Sequence, residues 1–177
     1  MAETTTFVTA AGRTVDRQLL LACLNTGTTE SPTWSPIGKR VEDSSESVEW
    51  STETKTDIFG DTYTTAKKPQ LTQTFSPCEL DAGDAAQKKI WEMAIKNQDY
   101  TGLTNLDMLI VHLYVQGSTT GKYFAERYES CAITPTGLGG EGGGSVGMPI
   151  DVVYGGKRTT GDATNTGGTI TFTEDQA

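Results

Sequence analysis

The chain has 177 residues, 35% of them hydrophobic, and 14 Lys+Arg against 23 Asp+Glu leave a formal net charge of -9. At this length one domain is expected, and a mean hydropathy of -0.39 leaves a thin core for a chain that should hide roughly 70% of its unfolded surface, so part of its burial is expected from a partner. The acidic balance argues against a duplex grip through phosphate neutralisation. Cys23, Cys78 and Cys131 lie far apart with no CxxC, which argues against a disulfide scaffold and a structural zinc site. The longest apolar run, residues 19–24, is too short to span a bilayer or to form a signal core, so no membrane partner is expected; the cysteine usage points to a soluble protein made in a reducing cytosol.

Residues 1–17 mix Thr, Ala and charge without periodicity and read as an N-terminal arm preceding a single β domain over residues 18–177. Residues 18–24 are apolar on both alternating faces, as in a strand covered on two sides, with a short helix as the alternative. Residues 25–36 carry Gly27, Pro32 and Pro36 around Trp34, which reads as a loop with one aromatic anchor. From 41 to 68 a projecting hairpin or long loop is expected. Its first part is crowded with acids, Val48, Trp50, Thr52 and Thr54 alternate with polar residues, and Ile58, Phe59 and Tyr63 flank a Gly60-Asp61 turn in a polar setting. Residues 71–75 resume a strand.

A helix is expected at 81–98, with Asp81 and Asp84 as N-cap candidates and Asp84-x-x-Gln87 as a capping-box variant. Its apolar sector is roughly 200° wide, more than packing on one sheet requires, and Trp91 and Ile95 at the sector's edge become candidates for contact with a second surface. Two packed layers within one domain would explain the same width. Residues 107–115 are apolar on both faces, which suits a central strand, and a turn at 116–121 should pair them with 122–132. Residues 137–147 hold seven glycines and read as a flexible loop. Strands at 148–154 and 169–173 bring the expected total to seven or eight, with one helix.

Candidate chemistry is sparse. Gly143-Gly144-Ser145-Val146-Gly147 matches a nucleophile elbow in letters, but no helix follows it and the sole histidine, His112, precedes the serine, the wrong order for that fold. His112 reads instead as a core or cross-strand histidine with a satisfied ring nitrogen. Gly155-Gly156-Lys157-Arg158-Thr159 has no helix N-terminus to offer a phosphate. Glu126 and Glu129 could in principle form a glycosidase pair, and as solvated charges they would look the same in sequence. One His and three scattered Cys supply no metal constellation. No catalytic residue, cofactor or metal is expected, and the chain reads as a non-enzyme.

The order of motifs along the chain is more specific. Pro32-Thr33-Trp34-Ser35-Pro36-Ile37-Gly38 precedes an acidic segment. Thr52-Glu53-Thr54-Lys55-Thr56-Asp57-Ile58-Phe59-Gly60, the 84–95 helix and the run from Gly147-Met148-Pro149-Ile150-Asp151 to Lys157-Arg158-Thr159 follow. In this combination, over residues 18–173, the chain resembles the major tail tube proteins of long-tailed bacteriophages. The resemblance implies a β-rich α+β fold: an antiparallel β-sandwich or partly closed barrel with one flanking α-helix, an N-terminal arm and a long loop. It implies a virion structural protein, assembled in the host cytoplasm, that forms stacked hexameric rings around a tape-measure protein and meets tail terminator and tail-tip proteins. DNA would pass through without tight binding. Residues 41–68 would then be the stacking loop, and Trp50, Ile58, Phe59, Tyr63, Trp91 and Ile95 become candidate self-association residues. The alternative is a monomeric β-sandwich binding module, for instance glycan-binding, presenting Trp34, Trp50 and Tyr63 as an aromatic platform.

Overall fold

The computed structural model describes residues 5–175; the first four residues of the expected arm lie outside them. The strands are β1 (Leu20–Asn25), β2 (Trp34–Pro36), β3 (Ser44–Glu49), β4 (Thr52–Thr56), β5 (Thr62–Ala66), β6 (Gln70–Phe75), β7 (Leu106–Gln116), β8 (Tyr123–Pro135), β9 (Ile150–Tyr154), β10 (Arg158–Thr166) and β11 (Thr169–Glu174), with one α-helix, α1 (Ala85–Trp91). Six strands run in the order β10-β11-β2-β1-β7-β8, and pairing of β8 back onto β10 closes them into an antiparallel barrel. The expectation of a partly closed barrel is met by a fully closed one.

The long strand β8 serves two sheets. On one edge it pairs with β7; on the other, Tyr123 to Tyr128 pair with β10 while Ala132 to Pro135 pair with β9. Beyond β9 the sheet continues through β6 to β3. Where the chain passes from β9 to β10, Gly155 and Gly156 press against the backbone of Ser130. A Cβ would come within 2.5 Å of the Ser130 carbonyl oxygen at the first and 2.8 Å of its nitrogen at the second, so only glycine fits this switch.

Two cores explain why β1 and β7 are apolar on both faces. Cys23, Leu109 and Val111 point into the barrel, where Trp34, Ala125, Ala163 and Ile170 complete the packing. The alternate residues Ala22, Leu24, Met108 and Ile110 face a second core formed with Phe75, Ile133, Ile150 and Val152 of the extended sheet and with Ala86 and Ile90 of α1. This is the period-two rule of a strand applied to two buried sides at once.

The helix is shorter than the 81–98 expected. Asp81 belongs to a preceding turn, its side chain accepting from the Gly83 N–H at 2.7 Å, and Asp84 is the N-cap, accepting from the Gln87 N–H at 3.0 Å. Gln87 reaches back to the Asp81 N–H at 2.8 Å instead of closing a box on Asp84. After Trp91 the helix widens into a π-type turn over Glu92–Lys96, where Asn97 N–H donates to the Glu92 carbonyl at 2.9 Å.

Two other expectations are corrected. Among the described residues the strands number eleven, because β2, three residues ending in Pro36, and the Thr-rich β10 carry no apolar run to mark them, and the segment around the projection divides into β3, β4 and β5. The projection is narrower than 41–68, since β3 is a member of the large sheet, paired along its whole length with β6. The glycine-rich loop is closed at its neck by reciprocal Gly139–Gly147 backbone hydrogen bonds of 3.1 and 2.6 Å. In the arm, Val8 N–H donates to the Tyr114 carbonyl and the Thr6 carbonyl accepts from Gln116 N–H, both at 2.9 Å, so that residues 6–8 lie along the end of β7.

Candidate functional site

The β3–β6 ladder and the β4–β5 ladder form one two-stranded ribbon. Glu49 pairs with Gln70, Lys67 N–H donates to the Ser51 carbonyl at 2.9 Å, and Thr52 pairs with Ala66. Residues 50–51 on the outgoing strand thus face 67–69 on the returning one, a single-residue bulge at which Pro69 supplies no donor. The near half of the ribbon is held in the sheet through β6 and β9. The far half stands free, every residue from 51 to 68 being exposed. β-branched threonines make it a strand pair, and Thr54 and Thr64 hydroxyls meet across it at 3.1 Å.

The tip is a built turn. The Asp57 side chain accepts from the N–H groups of Phe59 and Asp61, both at 2.9 Å; Gly60 N–H donates to the Asp57 carbonyl, and Gly60 takes a φ of +87° that favours glycine. That scaffold holds two large apolar side chains out in solvent, Ile58 at 94% and Phe59 at 84% exposure. Trp50, 71% exposed, marks the bulge, and Tyr63 is half exposed on β5 opposite Lys55.

The remaining sequence candidates lie elsewhere. Trp91 is half-buried and packs on the second core, while Ile95, one turn on, is exposed. They share a helix surface but stand apart from the ribbon in the chain and in the sheet order. The aromatic platform of the binding-module alternative is not assembled: Trp34 is 5% exposed and fills the barrel, because β2 closes the barrel between β1 and β11.

Two features were not anticipated. The first is a polar cluster on the outer face of β7, β8 and β10. Glu126 Oε1 lies 3.1 Å from His112 Nε2, and Glu126 Oε2 accepts from Tyr128 O–H at 2.9 Å and Arg158 Nε at 2.5 Å. Burial pushes the Glu126 carboxyl up, but the hydrogen bonds from His112 and Arg158, the Arg158 charge and the Tyr128 bond outweigh it and hold it at about 2. His112 Nδ1 meets Tyr114 Oη at 2.8 Å, so both ring nitrogens are engaged and neither faces Ser145. Glu129 lies where β8 shifts register against β7 and takes no part in the hydrogen bonds around Glu126, so the two carboxylates are not joined in one cluster.

The second is a seam between β1 and β3. Arg17 Nε and Nη2 donate to the Ser44 carbonyl at 3.2 and 3.0 Å and Nη1 donates to the Leu20 carbonyl at 2.6 Å, stapling the two strands where no ladder joins them. Beside the staple lies a pocket of about 370 Å³ of mixed character, bordered by Leu20, Ile37 and Val41 and by Arg17, Glu42 and Asp43. Its walls come from three separate segments, which is why no local sequence pattern announces it. Among the described residues no cluster of His, Cys, Asp and Glu could hold a metal ion, and no helix is long and apolar enough to cross a membrane.

No protein-family model matches the chain, and no curated protein matches it significantly. Its fold is similar to that of a chain in the virion of a native gene transfer agent particle, with 9% identity, a TM-score of 0.54 and coverage of 83% of this chain and 98% of that one. Further neighbours are a chain of the sheath/tube terminator of an extracellular contractile injection system (8% identity, TM-score 0.49, 85% and 99% covered) and one of an anti-feeding prophage tube terminating cap (12%, 0.46, 86% and 93%). The comparison of fold rests on the first. The tail-tube likeness read from the sequence is met at the level of that fold.

Proposed function

We propose that this chain is a virion structural protein that assembles with copies of itself into hexameric rings stacked as the hollow tube of a phage-like tail. The observation that carries the reading is the free half of the ribbon. A lone two-stranded hairpin is marginal in water, and an apolar tip exposed in solvent forgoes about 1.5–3 kcal/mol for each large side chain that a neighbour could bury. A turn built to hold Ile58 and Phe59 outward makes sense as one half of a joint. The shared fold with a virion component supports the structural role.

In this reading the ribbon joins one ring to the next, and the rings enclose a tape-measure protein before DNA replaces it. Tail terminator and tail-tip proteins would cap the two ends of the tube. A chain at -9 also suits a conduit, because an acidic wall repels passing DNA whereas a basic one would hold it by counterion release. Negative-stain microscopy and native mass spectrometry of the purified protein test the proposal. Hexamers and tubes are expected; a monomer at every concentration, with no tubes, refutes it.

A further inference from the structure

The extended sheet is an unfinished second barrel. From β1 it runs through β7, β8, β9 and β6 to β3, and β3 comes back beside β1, where the Arg17 fork stands in place of a ladder. The backbone groups of an antiparallel strand turn alternately to its two edges. The Asp43 carbonyl accepts from Ser76 N–H on the β6 side, whereas the Ser44 carbonyl faces the seam and accepts from Arg17. Positions 45, 47 and 49 therefore bond toward β6, and positions 44, 46 and 48 open onto the seam. Across the seam, β1 is laddered to β2 only from Cys23 to Asn25, and its Leu20 carbonyl takes the other arm of the fork.

Arg17 and Glu46 act on β3 in opposite directions. The three Arg17 bonds, at 3.2, 3.0 and 2.6 Å, bridge β3 to β1. Glu46 alternates with Ser45 and Ser47, which are exposed, and its own side chain is half-buried over the His112–Glu126 cluster of β7 and β8. With β3 closed, that carboxylate is covered: burial pushes the Glu46 carboxyl up, His112 and Arg17 draw it back only in part, and the Glu126 carboxylate adds to the push. From this arrangement we infer that β3 is a flap, latched shut by the Arg17 fork across the seam and driven open by the Glu46 carboxylate that its closure covers. The flap is the root of the ribbon. Its strand runs on through the bulge at residues 50–51 into β4, so an opening of β3 carries the free half with it, and the latch sets how firmly the ribbon is aimed. The device belongs to the single chain and operates whether or not the chain builds tubes.

Native-state hydrogen exchange on the dilute, full-length chain, read residue by residue and corrected for intrinsic rates, tests the latch, because an edge strand that opens alone shows it in its own ladder amides. The reporters are the Ser45, Ser47 and Glu49 amides in the ladder with β6, and the Leu109 and Val111 amides of the central strand β7 are the controls. Arg17→Met removes hydrogen bonds from a charged donor and should speed the reporters by about tenfold or more, leaving the controls within about twofold. Arg17→Lys should do the same, since one ammonium cannot span two carbonyls as the planar fork does. Glu46→Gln keeps the shape, removes the covered charge and should slow the reporters by about threefold or more. Reporters unmoved in Arg17→Met overturn the latch. Reporters returned to the parent rate in Arg17→Lys overturn it too, because charge attraction to Glu46 would then be what holds the strand. Controls that speed up as much as the reporters would make Arg17 a support of the whole fold, and reporters not slowed in Glu46→Gln would leave the flap without its opposing force; either result refutes the device.

Discussion

Cutting the free half of the ribbon separates folding from assembly. The Ser51 carbonyl already accepts from Lys67 N–H at 2.9 Å, the hydrogen bond that closes a two-residue turn, so residues 52–66 can be replaced by Asn-Gly in a type I′ turn. Every residue removed is exposed, and neither core loses a side chain. Shortening a connection of about 15 residues to two lowers its closure entropy cost by about 2 kcal/mol, which is offset in part by the lost ladder. The domain should therefore keep its stability to within about 2 kcal/mol, read by urea unfolding, with the near half of the ribbon still paired. Assembly should change far more. Losing the burial of Ile58 and Phe59 removes about 3–6 kcal/mol from each joint, a factor of ~10² to 10⁴ in affinity. Sedimentation velocity and negative-stain microscopy at matched concentrations give the second reading. A shortened chain that fails to fold would make the ribbon part of the core, and one that folds and still builds long tubes would show that the joint lies elsewhere.

A carboxyl held at about 2 against an ordinary 4.5 means that Glu126 stabilises the fold by about 3 kcal/mol, fully above pH ~4.5 and progressively less as pH falls toward 2. The stability gap between wild type and Glu126→Gln, measured on dilute protein, should close over that window, and a gap of constant size from pH 7 to pH 2.5 would refute the assignment. Trp34→Ala empties the barrel and should cost about 3–5 kcal/mol in chemical unfolding, whereas Trp50→Ala should cost under ~0.5 kcal/mol in the unassembled chain; equal losses would contradict the burial of the two indoles. Because each chain carries -9, tubes should grow as NaCl shortens the Debye length toward ~8 Å and should not retain duplex DNA in a low-salt gel shift. Tubes that dissolve as salt is added, or DNA held tightly, would refute the corresponding half.

Much of the architecture was readable from side-chain period alone. β1 and β7 show apolar residues on both alternating faces, and the structure supplies a core for each face. The flanking helix announced itself through Asp84 and the Ile90 stripe. What escaped were elements whose formation depends on distant neighbours. β10 is built from Thr, Gly, Asp and Asn, with Ala163 alone reaching the barrel core, and it forms because β8 and β11 offer it ladders on both edges. Trp34 sits among prolines and looks like a loop anchor, yet the three-residue β2 turns it into the barrel. Composition cannot show this, because most of the residues that bury Trp34 lie more than seventy residues away: Leu109, Val111, Ala125, Ala163 and Ile170.

The ribbon reverses the usual meaning of alternation. Val48, Trp50, Thr52 and Thr54 recur at period two, the pattern of a strand with one buried face, and within a single chain that face has nothing opposite it. Val48 and Trp50 remain exposed in the structure, as do Ile58 and Phe59 at the tip. Propensity has made the strands, the Asp57 turn has set the tip, and the step that normally follows, burial against a core, is absent from the chain itself. A one-sided pattern on a rigid element without an intramolecular partner is physically the signature of burial between molecules.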